Sequence, residues 1–149
     1  MELEPALKTR AAAVTLIGIV LRSGQAFDVA FAQNNDINLM GPRDRAFIYN
    51  LCLTTLRRLG QIDALISTLL KNPLPNHAQP VTDILRIGAC QILFLNVANH
   101  AAVSTCVELT RKNGYSAHIK LVNAVLRGFT RKGPSLVAKQ DEAFLNIPK

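Results

Sequence analysis

Apolar residues recur along most of the chain at the three- and four-residue spacing of an amphipathic helix, and no segment sustains the alternate-residue pattern of a strand. An all-α fold is therefore expected. The first helix should open near Pro5, whose fixed φ suits an opening turn, and carry Leu7, Ala11, Val14, Ile17 and Leu21 on one face until Ser23-Gly24 stops it. A short helix from Ala26 to Gln33 follows, with Phe27 and Phe31 four apart. Asn34-Asn35-Asp36 reads as a polar turn. Gly41-Pro42 reads as the opening of a third helix, in which Phe47, Ile48, Leu51 and Cys52 pack inward until Gly60 interrupts.

The next stretch places Ile62, Leu65, Ile66, Leu69 and Leu70 at i, i+3, i+4, i+7 and i+8, the stripe of a core-facing helix, and Pro73 and Pro75 end it. Residues 72–80, with three prolines and a histidine, read as a connector between two helical subdomains, roughly 5–71 and 80–132. Val81, Ile84, Leu85, Gly88, Ile92 and Leu95 then form a strong apolar face, with Gly88 admitting a neighbouring helix closely. Helices from Ala101 to Lys112 and from Ser116 to Thr130 follow, separated by Asn113-Gly114, a pair suited to a left-handed stop. Gly133-Pro134 is expected to break the chain. Residues 1–133 then form one domain, and 134–149 a tail, with room for a short helix before Ile147-Pro148-Lys149, or the start of a linker.

Length and composition agree with one packed domain: 149 residues, 49% hydrophobic and 18% charged, exclude a disordered or fibrous chain. Charge narrows the partners. Seventeen Lys and Arg stand against ten Asp and Glu, a formal charge of +7, which favours a polyanion. No apolar run approaches the ~20 residues of a membrane-spanning helix, and Glu2 and Glu4 replace the basic start of a signal peptide, so a cytoplasmic protein without membrane contact is expected. Cys52, Cys90 and Cys106 are odd in number and widely spaced, which suggests neither disulfides nor a zinc site.

Sites for chemistry are correspondingly scarce. Glycine-rich cofactor turns, a phosphate-binding loop and a G-x-S-x-G elbow are missing, and His77, His100 and His118 lack metal-ligand spacing, so no catalytic, cofactor or metal site is expected in this chain. His100 and Cys106 are six residues apart, which on a helix sets them on nearly opposite faces.

The basic residues carry more information. From Leu109 to Gln140 there is no Asp or Glu, while Arg111, Lys112, Lys120, Arg127, Arg131, Lys132 and Lys139 all fall there. In the last long helix Ile119, Val122, Leu126 and Phe129 form the buried side, and Lys120, Arg127 and Arg131 line another with Asn123 and Ala124. Such a row can track phosphates. Arg43, Arg45, Arg57 and Arg58 make a second, lesser group, and Lys8 and Arg10 a third. With aromatic residues at only 5% and no Trp, phosphate and shape contacts are expected in place of serial base stacking.

I-L-R-I-G-A-C-Q-I-L-F (84–94), H-A-A-V-S-x-x-V-E-L (100–109), K-L-V-N-A-V-L-R (120–127) and D-R-A-F-I-Y-N-L-C-L-T-T-L-R-R-L-G-Q-I-D (44–63) together resemble the NusB family over almost all of residues 5–132. That family includes stand-alone antitermination factors and the N-terminal domains of RsmB-type (Sun, Fmu) enzymes, which methylate cytosine C5 in 16S ribosomal RNA. The blocks at 56–63, 100–103 and 123–127 look more like the methyltransferase branch, since the antitermination branch more often has an arginine-rich N-terminal run and here only Lys8 and Arg10 occupy it. The resemblance implies two packed three-helix subdomains, about seven helices in all, and RNA binding. It further implies an S-adenosylmethionine-dependent catalytic domain beyond Lys149, with 16S ribosomal RNA as partner. The alternative is an antitermination factor that binds leader RNA and a small-subunit ribosomal protein. Two positions depart from the pattern: Asn99 stands where relatives usually have Pro, and Thr105 where they have an acid.

Overall fold

The computed structural model describes residues 4–146, and the expected linker start at 147–149 lies outside them. Nine α-helices are present among the described residues, and no strand. They are α1 (Pro5–Ser23), α2 (Phe27–Gln33), α3 (Asn35–Asn38), α4 (Pro42–Arg57), α5 (Leu59–Leu69), α6 (Gln79–Phe94), α7 (Asn99–Lys112), α8 (Ile119–Ala138) and α9 (Glu142–Leu145). The short helix expected in the tail is present as α9, and α3 is the one not expected.

Local chemistry sets most of the boundaries. α1 has Pro5 in its first turn and ends on Gly24, whose φ of 71° lies in the left-handed region that glycine enters without a Cβ clash. The polar turn expected at 34–36 is instead a helix start. The Asn34 side chain accepts a hydrogen bond from the Ile37 backbone N–H at 2.9 Å, capping α3, and Ile37 drops fully into the core. Helix α4 opens at Pro42 as expected, but the break that follows falls at Arg58 and not at Gly60. Gly60 lies in the first turn of α5, where a side chain would collide with the backbone of Leu145.

The expected stop at Gly133-Pro134 does not occur. Helix α8 runs through both residues to Ala138. Proline removes one backbone donor and crowds the carbonyl four residues back, so its presence there is a cost that the packing around Gly133 offsets. Gly133 is buried because Leu93 occupies the space a side chain would need, so it serves packing and not chain breakage. Beyond α8, the segment 139–146 folds back on α5. Gln140 donates to the Gln61 carbonyl at 3.0 Å, Asn146 donates to the Gln61 side-chain oxygen at 2.8 Å, and the Gln61 backbone N–H donates to Asn146 at 3.1 Å.

Helix α6 is the centre of the molecule, with Val81, Ile84, Leu85, Ile87, Ala89 and Cys90 all fully buried. It packs against α1, α4, α5, α7 and α8. At Gly88 the side chain of Leu126 from α8 comes to 2.8 Å and Cys106 of α7 to 3.1 Å of where a Cβ would stand, so the close approach expected of this glycine is present. Helix α1 packs against α4, α6 and α7, and α4 also packs on α6, so one apolar core runs from α1 to α8. Its breadth explains why Ala11, Leu21 and Phe47, expected inside, are only half-buried while Ala12, Ala13 and Leu16 are buried.

One set of charges lies inside this apolar packing. The Asp83 carboxylate on α6 has no exposed surface, accepting from Arg22 of α1 at 2.7 Å and from Arg86 one turn on at 3.1 Å. Arg86 in turn grips Asp63 of α5 through two bonds of 2.8 and 3.1 Å. Burial works against the charge on Arg86, but the hydrogen bonds and charges of Asp63 and Asp83 outweigh it and raise its pKa. Three helices are thus tied at one point.

Candidate nucleic-acid interface

Helix α8 turns Val122, Val125, Leu126 and Phe129 into the core and leaves Lys120, Arg127, Arg131 and Lys132 exposed. At 100° per residue, positions seven and eleven apart return to within roughly 20° of one direction, so Lys120, Arg127 and Arg131 form a single row about 16–17 Å long. Among the described residues no carboxylate lies within ion-pair distance of any of the three. The nearest polar restraint is neutral: Arg127 donates its Nε–H to the Asn123 side-chain oxygen at 3.0 Å. A straight, unneutralised row of cations on a rigid helix can meet a series of phosphates and carries no base-specific information by itself.

The remaining basic residues divide. Arg111 and Lys112, also exposed, both pair with Glu108, Lys112 at 4.0 Å, because the acid-free stretch begins just one residue after that glutamate. Lys8, Arg43, Arg45 and Arg57 are exposed, with Lys8 bordering a shallow groove between α1 and α3.

Arg10 and Arg58 do not join a surface row. Arg10 lies over the Phe47 ring at 4.6 Å and donates to Gln91 at 3.0 Å, and burial lowers its pKa. Arg58 lies over Phe94 at 4.7 Å and donates to Gln61 at 3.1 Å. These two guanidinium groups tie helices together, which the sequence could not show because Gln91 and Phe47 for Arg10, and Phe94 for Arg58, are distant along the chain.

The thiols offer no nucleophile. Burial pushes Cys90 up to about 11 and Cys106 up to about 12, and raises Cys52 as well, so the reactive thiolate is suppressed in all three. His100 is exposed while Cys106 is fully buried, and at six residues apart they point about 120° away from each other round the helix. Among the described residues no three His, Cys, Asp or Glu side chains gather as a metal-binding group. An open groove of about 1050 Å³ between α5 and α9 is lined by Leu56, Leu59, Ala64 and Phe144, and Asp63, which also lines it, is already held by Arg86. No helix among the described residues is long and apolar enough to cross a membrane.

At the two positions that depart from the family pattern, Asn99 opens α7, and the Thr105 hydroxyl donates back to the Ala101 carbonyl at 2.8 Å. Thr105 therefore satisfies its own helix and presents no charge.

Fold and surface together define an all-α domain with a cationic last long helix and no assembled catalytic group among the described residues. The chain belongs to the NusB family, whose model matches residues 7–131. It is 29% identical over 142 residues to the ribosomal RNA small subunit methyltransferase B of Shewanella oneidensis, covering 95% of this chain and 33% of that protein. Its counterpart in Xanthomonas campestris pv. campestris is 37% identical over 97 residues, 65% of this chain and 22% of that protein. The chain thus spans at most about a third of the length of these curated relatives. Among solved structures, a chain in a crystal structure of a plectonemic RNA supercoil superposes with a TM-score of 0.78 at 20% identity, covering 89% of this chain and 99% of that one. A chain from the crystal structure of antitermination factors NusB and NusE in complex with dsRNA gives 0.70 at 22% identity, covering 85% and 95%. These two share the fold.

Proposed function

We propose that the chain is an RNA-binding domain that recruits 16S ribosomal RNA to a cytosine-C5 methyltransferase. The observation that carries this reading is the unneutralised row Lys120, Arg127 and Arg131 on α8, with exposed Lys132 about a third of a turn round the helix from it. In the relatives named above the matched region is a third of the protein or less, which leaves room for a separate catalytic part. That part would bind S-adenosylmethionine and supply the reactive cysteine, because Cys52, Cys90 and Cys106 are buried with suppressed thiolates. The likeness to methyltransferases favours this role over that of a separate antitermination factor.

The test is binding of the chain to a 16S ribosomal RNA fragment at several salt concentrations, with Lys120→Glu plus Arg127→Glu as the variant. Reversing two charges in the row is expected to weaken binding at least ~10-fold, since two phosphate contacts are lost and two repulsions added. Unchanged affinity would remove α8 from the interface and the reading with it.

A further inference from the structure

We propose that Asn123 is a positioning residue for RNA binding, its side-chain oxygen fixing Arg127 as a preset fork for one backbone phosphate. The proposal rests on the reading that α8 meets RNA and adds which group organises its central contact.

Arg10 also donates its Nε–H to a neutral amide, Gln91, but is turned inward over Phe47; three exposed or partly exposed arginines are instead anchored by carboxylates, Arg22 by Asp83, Arg86 by Asp63 and Asp83, and Arg111 by Glu108. Such a partner orients a guanidinium and also cancels its charge. Arg127 is held differently. Its Nε–H goes to the neutral Asn123 oxygen one turn earlier, 3.0 Å away, and neither terminal nitrogen has a protein partner among the described residues.

An arginine bound through Nε keeps both terminal amino groups and its full charge for an outside acceptor, and a phosphate offers two oxygens to that pair. Holding the side chain in advance reduces the rotamer freedom that would otherwise be lost on binding. Asn123 is half-buried and belongs to the same rigid helix as Arg127, so the restraint is local and does not depend on a loop. Lys120 and Arg131, in the same row, have no hydrogen bond of this kind among the described residues and act as unrestrained cations beside a fixed one.

The test measures affinity of the full chain for a labelled 16S ribosomal RNA hairpin across a salt series, with thermal melting of each variant. Asn123→Ala raises helix propensity, so it should fold as well as the parent. It is expected to weaken binding ~3–10-fold, the equivalent of one organising hydrogen bond, with the salt slope unchanged because no charge is lost. Asn123→Asp retains the hydrogen bond but pairs the guanidinium, and should lower the salt slope by about one. In an Arg127→Ala background, Asn123→Ala should have no further effect.

Full affinity in Asn123→Ala would overturn the assignment. So would an equal loss with and without Arg127, which would show the asparagine touching RNA itself. If Arg127→Ala alone leaves binding intact, the failure lies earlier, in the reading of α8 as the RNA-facing helix, and the positioning role falls with it.

Discussion

Replacing Asp83 by alanine perturbs a point where three helices share an ion-pair network built around a buried carboxylate. The carboxylate has no exposed surface and accepts from Arg22 at 2.7 Å and Arg86 at 3.1 Å. Removing one partner of a buried pair costs ~3–5 kcal/mol when the other charge is left unpaired. Here the loss is smaller for two reasons. The Arg22 side chain is 40% exposed and can hydrate, and Arg86 keeps both bonds to Asp63. A destabilisation of about 2–3 kcal/mol follows, equivalent to a melting temperature lower by roughly 5–10 °C for a domain of this size.

Thermal and urea unfolding followed by circular dichroism measure it. Asp83→Asn, which retains the volume and one acceptor, should lose less, and Arg22→Ala should lose about 1 kcal/mol or less because that ion pair is open to water on one side. If Asp83→Ala lies within about 0.5 kcal/mol of the parent, the range of an ordinary surface change, the carboxylate does not organise these helices.

Gly60→Ala places a Cβ against the Leu145 backbone, so the segment 139–146 should detach from α5 while the core stays folded. Limited proteolysis and amide exchange confined to that segment should rise, and equal protection in both proteins would contradict the packing. Cys90 and Cys106 have pKa values raised to about 11 and about 12 from 9.0, so unfolding releases protons once pH exceeds about 9. The native state holds more protons there, hence stability is complete below pH 9 and falls as pH rises toward 11–12, by up to ~1.4 kcal/mol per pH unit for each thiol. Cys90→Ala combined with Cys106→Ala should make that decline shallower, leaving the part owed to the likewise raised Cys52, and an unaltered slope would show that these two thiols do not contribute to it.

Much of this fold is legible because its signals are local. Pro5 and Gly24 bound α1, Asn113-Gly114 separates α7 from α8, and the period of Val81, Ile84, Leu85 and Gly88 identifies the central helix. The misreadings occur where a distant contact changes what a residue does. Gly133 and Pro134 look like a break until Leu93 is seen filling the space beside Gly133. Asn34 looks like a turn residue because a cap and a turn use the same side-chain oxygen.

The candidate site divides along the same line. The row on α8 could be read from helical spacing alone, since Lys120, Arg127 and Arg131 belong to one helix. Arg10 and Arg58 were indistinguishable from surface cations in sequence, yet their partners Gln91, Phe47 and Phe94 turn them inward. The Arg22–Asp83–Arg86–Asp63 network was missed for the same reason. Its only sequence trace is a pair of opposite charges three apart, Asp83 and Arg86, on an otherwise apolar helix.

The salt dependence of RNA affinity, compared between the parent chain and Lys120→Ala/Arg127→Ala/Arg131→Ala, tests the central claim most directly. Three phosphate contacts at ~0.7–0.9 each predict that the slope of log K against log salt falls in magnitude by about 2–3 in the triple variant. An identical slope and affinity in the two proteins would contradict the account, because the row on α8 would then meet no phosphate.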